Sequence, residues 1–172
     1  MQGGKLYFFT ATNLEWKMVL WNDHYKMIVV NSLRYLIFKN EVIVYAFVIM
    51  PNHMHIIWSF PEFSDPSKIK QRFMKYTAQV IIEDLKRNRN SLLYDLKVDA
   101  ADRMYQVWER NPLAVELFTE SIMWQKLEYI HNNPCNNRWR LTTYPENYRF
   151  SSASFYILNK SEWDFITHIK EA

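Results

Sequence analysis

One stretch limits the fold more than any other. Residues 42–60 read VIVYAFVIM, then Pro51-Asn52, then HMHIIWSF. Nine apolar residues in a row make a strand buried in a sheet, and they fall short of half the ~20 residues that cross a bilayer. Pro51 and Asn52 form a turn pair, and a second apolar segment resumes at once. Two such runs with a tight connection predict a β-hairpin.

The remaining chain supplies partners for it. Residues 5–13 (KLYFFTATN) are β-branched and aromatic with partial alternation, which predicts a strand. Residues 23–39 carry Met27, Val30, Leu33 and Ile37 at helical spacing, with Asp23 as the expected N-cap. Asp65-Pro66 opens a long helix with proline at its first position, running to about Arg87. Residues 88–102 are polar and irregular apart from Leu92-Leu93-Tyr94, and residues 104–109 and 114–118 read as short strands. Thr119 begins a helix that ends before Pro134, with Glu120 in the first turn where it suits the helix dipole. A loop, a short helix over 151–158 and a tail over 159–172 complete the chain. The order predicts an α+β fold, an antiparallel sheet of about four to five strands with helices packed on it (ferredoxin- or RRM-like), in a single domain over 1–172.

Composition removes whole classes of function. Glycine occurs only at Gly3 and Gly4, in an N-terminus expected to be disordered, so neither a phosphate-binding loop nor a dinucleotide fingerprint is present. A lone Cys135 permits no internal disulfide and no multi-cysteine zinc site, which suits a reducing cytoplasm. No basic-then-apolar signal segment opens the chain, and no membrane partner is expected. The net charge is only +3, so any nucleic-acid partner rests on local clustering.

Three groups of residues can carry chemistry. His53 and His55 flank Met54 on a strand, so both imidazoles point to one face and form half of a divalent-metal site, unless they are simply hydrogen-bonded histidines. His24, His131 and His168 offer no third ligand at a recognisable zinc spacing. In the helix before Pro134, Met123, Leu127 and Ile130 form the core stripe, while Tyr129 projects away from it with Gln125 and Asn133 on its side. Tyr129 is either a reactive hydroxyl or one of eleven tyrosines resting on a loop. Tyr76 falls on the stripe of Ile69, Phe73 and Val80, and packing is its expected role. Lys68, Arg72 and Lys75 share a helix face, and Arg138-Trp139-Arg140 and Tyr148-Arg149-Phe150 interleave cations with aromatics. Charge plus stacking is the usual pairing for single-stranded nucleic acid, and a solvated helix face is the plainer alternative.

Together these segments resemble a known family. Residues 48–58 (VIMPNHMHIIW) are similar to the HUH motif of the single-tyrosine transposases. Residues 108–110 (WER), 126–134 (KLEYIHNNP) and 145–153 (PENYRFSSA) follow in that family's order, closest to the REP-associated branch. The resemblance spans about residues 5–158, and departs after Pro134, where many relatives have a small, glycine-containing stretch and this chain reads CNNRWRL. It implies that His53, His55 and Asn133 hold a divalent metal, Mg²⁺ or Mn²⁺, and that Tyr129 is the nucleophile. It implies cleavage and rejoining of single-stranded or hairpin DNA through a 5′-phosphotyrosine, by a monomer or homodimer, in transposition or the handling of repetitive palindromic elements. Lys68, Arg72, Lys75, Arg138, Arg140 and Arg149 are the expected DNA-binding residues. Two rivals stay open: a non-catalytic single-strand binding module and an HUH replication or conjugation nickase. Convergence of His53, His55, Tyr129 and Asn133 separates the enzyme readings from the module.

Overall fold

A computed structural model describes residues 5–172. The expected disordered N-terminus around Gly3 and Gly4 lies outside the described residues. The elements are β1 (Leu6–Thr12), α1 (Asp23–Phe38), β2 (Ile43–Ile49), β3 (His53–Ser59), α2 (Pro66–Arg87), α3 (Leu92–Asp95), β4 (Lys97–Ala100), β5 (Arg103–Tyr105), β6 (Leu113–Glu116), α4 (Glu120–Asn132) and α5 (Ala153–Leu158). The main sheet is four-stranded in the order β2-β3-β1-β6, with each neighbouring pair antiparallel. This is the α+β arrangement the sequence predicts, in the ferredoxin-like order of two split strand–helix–strand units. β4 and β5 form a separate two-stranded ribbon, β4 falling within the stretch expected to be irregular.

Caps fix several boundaries. Asp65 accepts from the backbone N–H groups of Ser67 and Lys68 at the start of α2, and Thr119 Oγ1 accepts from Ile122 at the start of α4. In α1 the cap is Asn22, which accepts from the His24 N–H, so the expected Asp23 cap moves one residue upstream and Asp23 becomes the first helical residue.

The sheet is covered on both faces. Met54, Ile56 and Trp58 of β3 join Phe9, Phe47 and Ile49 in a core closed by α1 and by Ile69, Phe73, Ile81 and Leu85 of α2. The opposite face carries Leu6, Phe8, Val48 and Ile57, closed by Leu127 and Ile130 of α4. A bulge between Val44 and Ala46 lets Tyr45 and Ala46 both serve this second core. The buried stripe of α2 is Ile69, Phe73, Thr77, Ile81 and Leu85, which corrects the expectation for Tyr76. That tyrosine is 55% exposed, because the core follows the i+4 row through Thr77, and Trp108 Nε1 donates to the Thr77 hydroxyl at 3.0 Å. The C-terminal segment is more than a tail. Trp163 and Ile169 are buried, and the Thr167 N–H donates to the Val44 carbonyl at the β2 edge.

Candidate active site

The two histidines stand on the sheet face that α4 covers. Strand alternation sends His53 and His55 to that face and Met54 to the other, as the spacing predicts. β3 lies between β1 and β2, with His55 opposite Thr10 on one side and Val48 on the other. Neighbours on both sides hold the imidazoles rigidly, 4.9 Å apart between ring centroids.

Each ring is fixed through Nδ1. His53 Nδ1 lies 2.7 Å from Asn52 Oδ1, while Asn52 Nδ2 donates to the Trp16 carbonyl at 3.0 Å. An amide oxygen only accepts, so His53 carries its proton on Nδ1 and keeps a lone pair on Nε2. His55 Nδ1 lies 2.7 Å from Thr10 Oγ1, and its Nε2 is buried without a hydrogen-bond partner. Asn133 Oδ1 is likewise buried and unpartnered. Burial pushes His53 down to about 4, with the Asn133 amide opposing the shift and the Arg138 guanidinium adding to it. Burial pushes His55 down to about 3, and the charges of His53 and Lys126 act in the same direction. Both imidazoles are therefore neutral near pH 7, the form that ligates metal.

α4 brings the tyrosine. Leu127 and Ile130 anchor the helix to the sheet, which turns Tyr129 toward the site at 49% exposure. Its ring meets His55 edge-on at 5.2 Å and Phe8 at 6.1 Å. One residue beyond α4, a short 3₁₀ turn over Asn133–Cys135 tucks Asn133 inward, so it is buried rather than displayed on the polar face with Tyr129. His53, His55, Tyr129 and Asn133 thus gather on one side of the sheet.

The basic residues divide. Arg138 lies over the Trp16 and Trp139 rings, both of which meet His53, at 6.3 and 5.7 Å respectively. Arg140 is exposed and reaches Asn137. Arg149 pairs with Glu162 at 2.9 Å and stacks over Phe150 and Trp163. Lys68, Arg72 and Lys75 belong to α2, in the layer across the sheet from the histidines. Lys68 pairs with Asp65 at 3.5 Å, and Arg72 with Glu41.

Four neighbours escape the sequence reading. Lys126 Nζ sits 4.8 Å above Phe8 and 5.6 Å above Tyr129; its place three residues before Tyr129 on one helix is the signal that points to it. Asn52 and Thr10 orient the imidazoles, and Trp16 borders them. Thr10 and Trp16 come from distant positions that only strand pairing and a loop bring near.

The donor set fits a divalent cation. Among the described residues no group of three or more His, Cys, Asp or Glu could hold a metal, so the available set is two imidazoles and an amide oxygen. With the His55 proton on Nδ1, toward Thr10 Oγ1, His55 Nε2 and Asn133 Oδ1 present two buried, unpartnered lone pairs that a cation would satisfy.

Comparisons with known proteins bear on the fold and on the first half of the chain. The family model for IS200-like transposases matches residues 15–97. The structure of a REP-associated tyrosine transposase bound to a REP hairpin shares the fold at a TM-score of 0.63 and 18% identity, covering 88% of this chain and 78% of that one. A putative transposase from Deinococcus radiodurans R1 matches at a TM-score of 0.53 and 14% identity, covering 77% of this chain and 97% of that one. No curated protein matches by sequence. The chain is thus similar in sequence to IS200-like transposases over just under half its length, and in fold to a REP-associated tyrosine transposase. The matched residues include His53 and His55 and stop before α4, so Tyr129 and Asn133 join them only in three dimensions. Among the described residues no helix is long and apolar enough to cross a membrane.

Proposed function

We propose that this chain cleaves and rejoins single-stranded DNA, with Tyr129 as the nucleophile. The observation that carries the reading is the meeting of an accessible tyrosine with two neutral imidazoles and an unpartnered amide oxygen. The Tyr129 hydroxyl oxygen bonds to phosphorus, the bond from phosphorus to the 3′-oxygen breaks, and the phenolic proton ends on that oxygen as a free 3′-OH. The 5′-phosphotyrosine conserves the ester bond, so a second 3′-OH can reverse the step without a nucleotide cofactor. His53, His55 and Asn133 would hold Mg²⁺ or Mn²⁺, the two imidazoles favouring Mn²⁺, and the ion would neutralise charge on a non-bridging phosphate oxygen. Lys126 places a further cation beside the tyrosine, where the anionic strand approaches.

The binding-module rival needs open aromatics on the sheet for stacking. Phe8 is only 4% exposed, and α4 covers the face it occupies. Transposition, or processing of repetitive palindromes, is the use that the REP-hairpin-bound relative suggests, and single strands with hairpins are the substrate to try. The deciding experiment is incubation with such oligonucleotides and Mn²⁺, read as a covalent protein–DNA band. A wild-type protein that forms no adduct on any strand would overturn the proposal.

A further inference from the structure

Beside the histidine pair, on the side away from Tyr129, lies a cationic aromatic shelf. Trp16 and Trp139 both meet His53, whereas Tyr129 meets His55. Trp16 is 53% exposed, so part of its ring is open to solvent next to His53. Its backbone is held in a costly conformation: Glu15 and Trp16 both take left-handed angles, with φ of 50° and 57°, at residues that are not glycine. Two hydrogen bonds enforce that turn. The Glu15 N–H donates to Glu109 Oε1 at 2.6 Å, and Asn52 Nδ2 donates to the Trp16 carbonyl at 3.0 Å. Asn52 is also the residue that orients His53, so one side chain sets both the shelf and the imidazole. The Arg138 guanidinium lies 5.5 Å from the Trp16 ring and 5.8 Å from that of Trp139, giving the shelf the charge an anionic strand needs.

We infer that Trp16 and Trp139 form a base-stacking subsite for the nucleotide next to the scissile phosphate, on the far side from Tyr129. The inference rests on the single-strand reading above and deepens it. In-line displacement puts the leaving 3′-oxygen opposite the attacking one, so the stacked base belongs to the nucleotide that departs with the 3′-OH. Holding it would keep that end in place for rejoining.

The test compares binding of two strands of equal length and charge, an oligodeoxyadenylate and the corresponding abasic sugar–phosphate strand. Binding is measured without divalent metal, so no cleavage intervenes. Wild type should favour the base-bearing strand, and Trp16→Ala and Trp139→Ala should each shrink that preference roughly five-fold or more, leaving abasic-strand binding nearly unchanged. Trp16→Phe should restore much of it, because a smaller ring still stacks. Circular dichroism checks that each variant is folded. If wild type binds neither strand, the single-strand reading and this subsite fall together. If wild type favours the bases and both alanine variants favour them equally, the reading stands and the subsite is overturned.

Discussion

The two faces of the sheet come from the same strands and do opposite work. Toward α1 and α2, β3 presents Met54, Ile56 and Trp58, all buried in an apolar core in which the Trp58 indole N–H is the one atom of the three side chains left unpartnered. Toward α4 it presents His53 and His55, with buried atoms left unpartnered on His55 and Asn133. A folded protein rarely leaves such atoms orphaned, and what sets the α4 face apart is that two of them gather with the histidine pair and the exposed Tyr129. Alternate residues on one strand therefore divide stability from function, and substitutions should separate the two.

The largest effect should come from the hydroxyl that faces the site. Tyr129→Phe is expected to drop the covalent DNA adduct to background while changing unfolding free energy by no more than about 0.5 kcal/mol, since the ring stays and the position is half-exposed. Tyr76→Phe, on the exposed surface of α2, should keep full adduct formation. Adduct persisting in the first variant and lost in the second would move the nucleophile to the other layer and end the division between faces.

Adjacent residues on β3 give the sharper contrast. Ile56→Ala should cost roughly 2–5 kcal/mol in denaturant unfolding, because it empties a packed position. His55→Ala should instead lower Mn²⁺ affinity and cleavage together, by far more than it lowers stability. The residues behind the imidazoles should act at one remove: Asn52→Ala and Thr10→Val are each expected to weaken metal binding by ~10–100-fold in a titration. Metal binding equal to wild type in all three variants would remove the histidine pair from the site.

The sequence makes this division legible only in part. The long apolar run, the Pro51-Asn52 turn and the His-x-His alternation lead to the hairpin and to which face the imidazoles occupy. Asp65-Pro66 marks the start of α2 because a cap and a proline act locally. What escapes is whatever depends on distant partners. The α2 core stripe could follow either the row through Tyr76 or the one through Thr77, and the partner that selects Thr77 is Trp108, far along the chain. β4 is short and polar, and its pairing with β5 carries no strong sequence signal. Asn133 looks like a continuation of the polar face of α4 until a 3₁₀ turn carries it inward.

Acid should expose the strain on the α4 side. Burial lowers His131, bonded to Ser152, to about 4, as it lowers His53 to about 4 and His55 to about 3. The unfolded chain takes up protons near pH 6.5 and the folded one does not, so stability falls as pH drops from about 6.5 toward 4. His131 alone should account for about 3 kcal/mol of that fall. Urea unfolding at stepped pH checks this, and His131→Asn should flatten the profile; a profile with the same slope in that variant would remove His131 as a cause.

The smallest effect concerns the basic residues, and it asks whether the strand follows one face. Lys126 and Arg138 flank the site, whereas Lys68, Arg72 and Lys75 stand on α2 across the sheet, two of them paired with acidic neighbours. For a single strand, removing the cation that neutralises one phosphate should lower the salt slope of binding by about 0.7. Neutralising Lys126 and Arg138 together should therefore reduce it by up to about 1.4. Neutralising the three α2 residues should change it less, because a strand seated on the imidazoles does not run over that helix and Glu41 already holds Arg72. A larger change from the α2 set would mean that DNA wraps around the sheet edge to the far layer, and that the two faces share the work of binding even though only one does the chemistry.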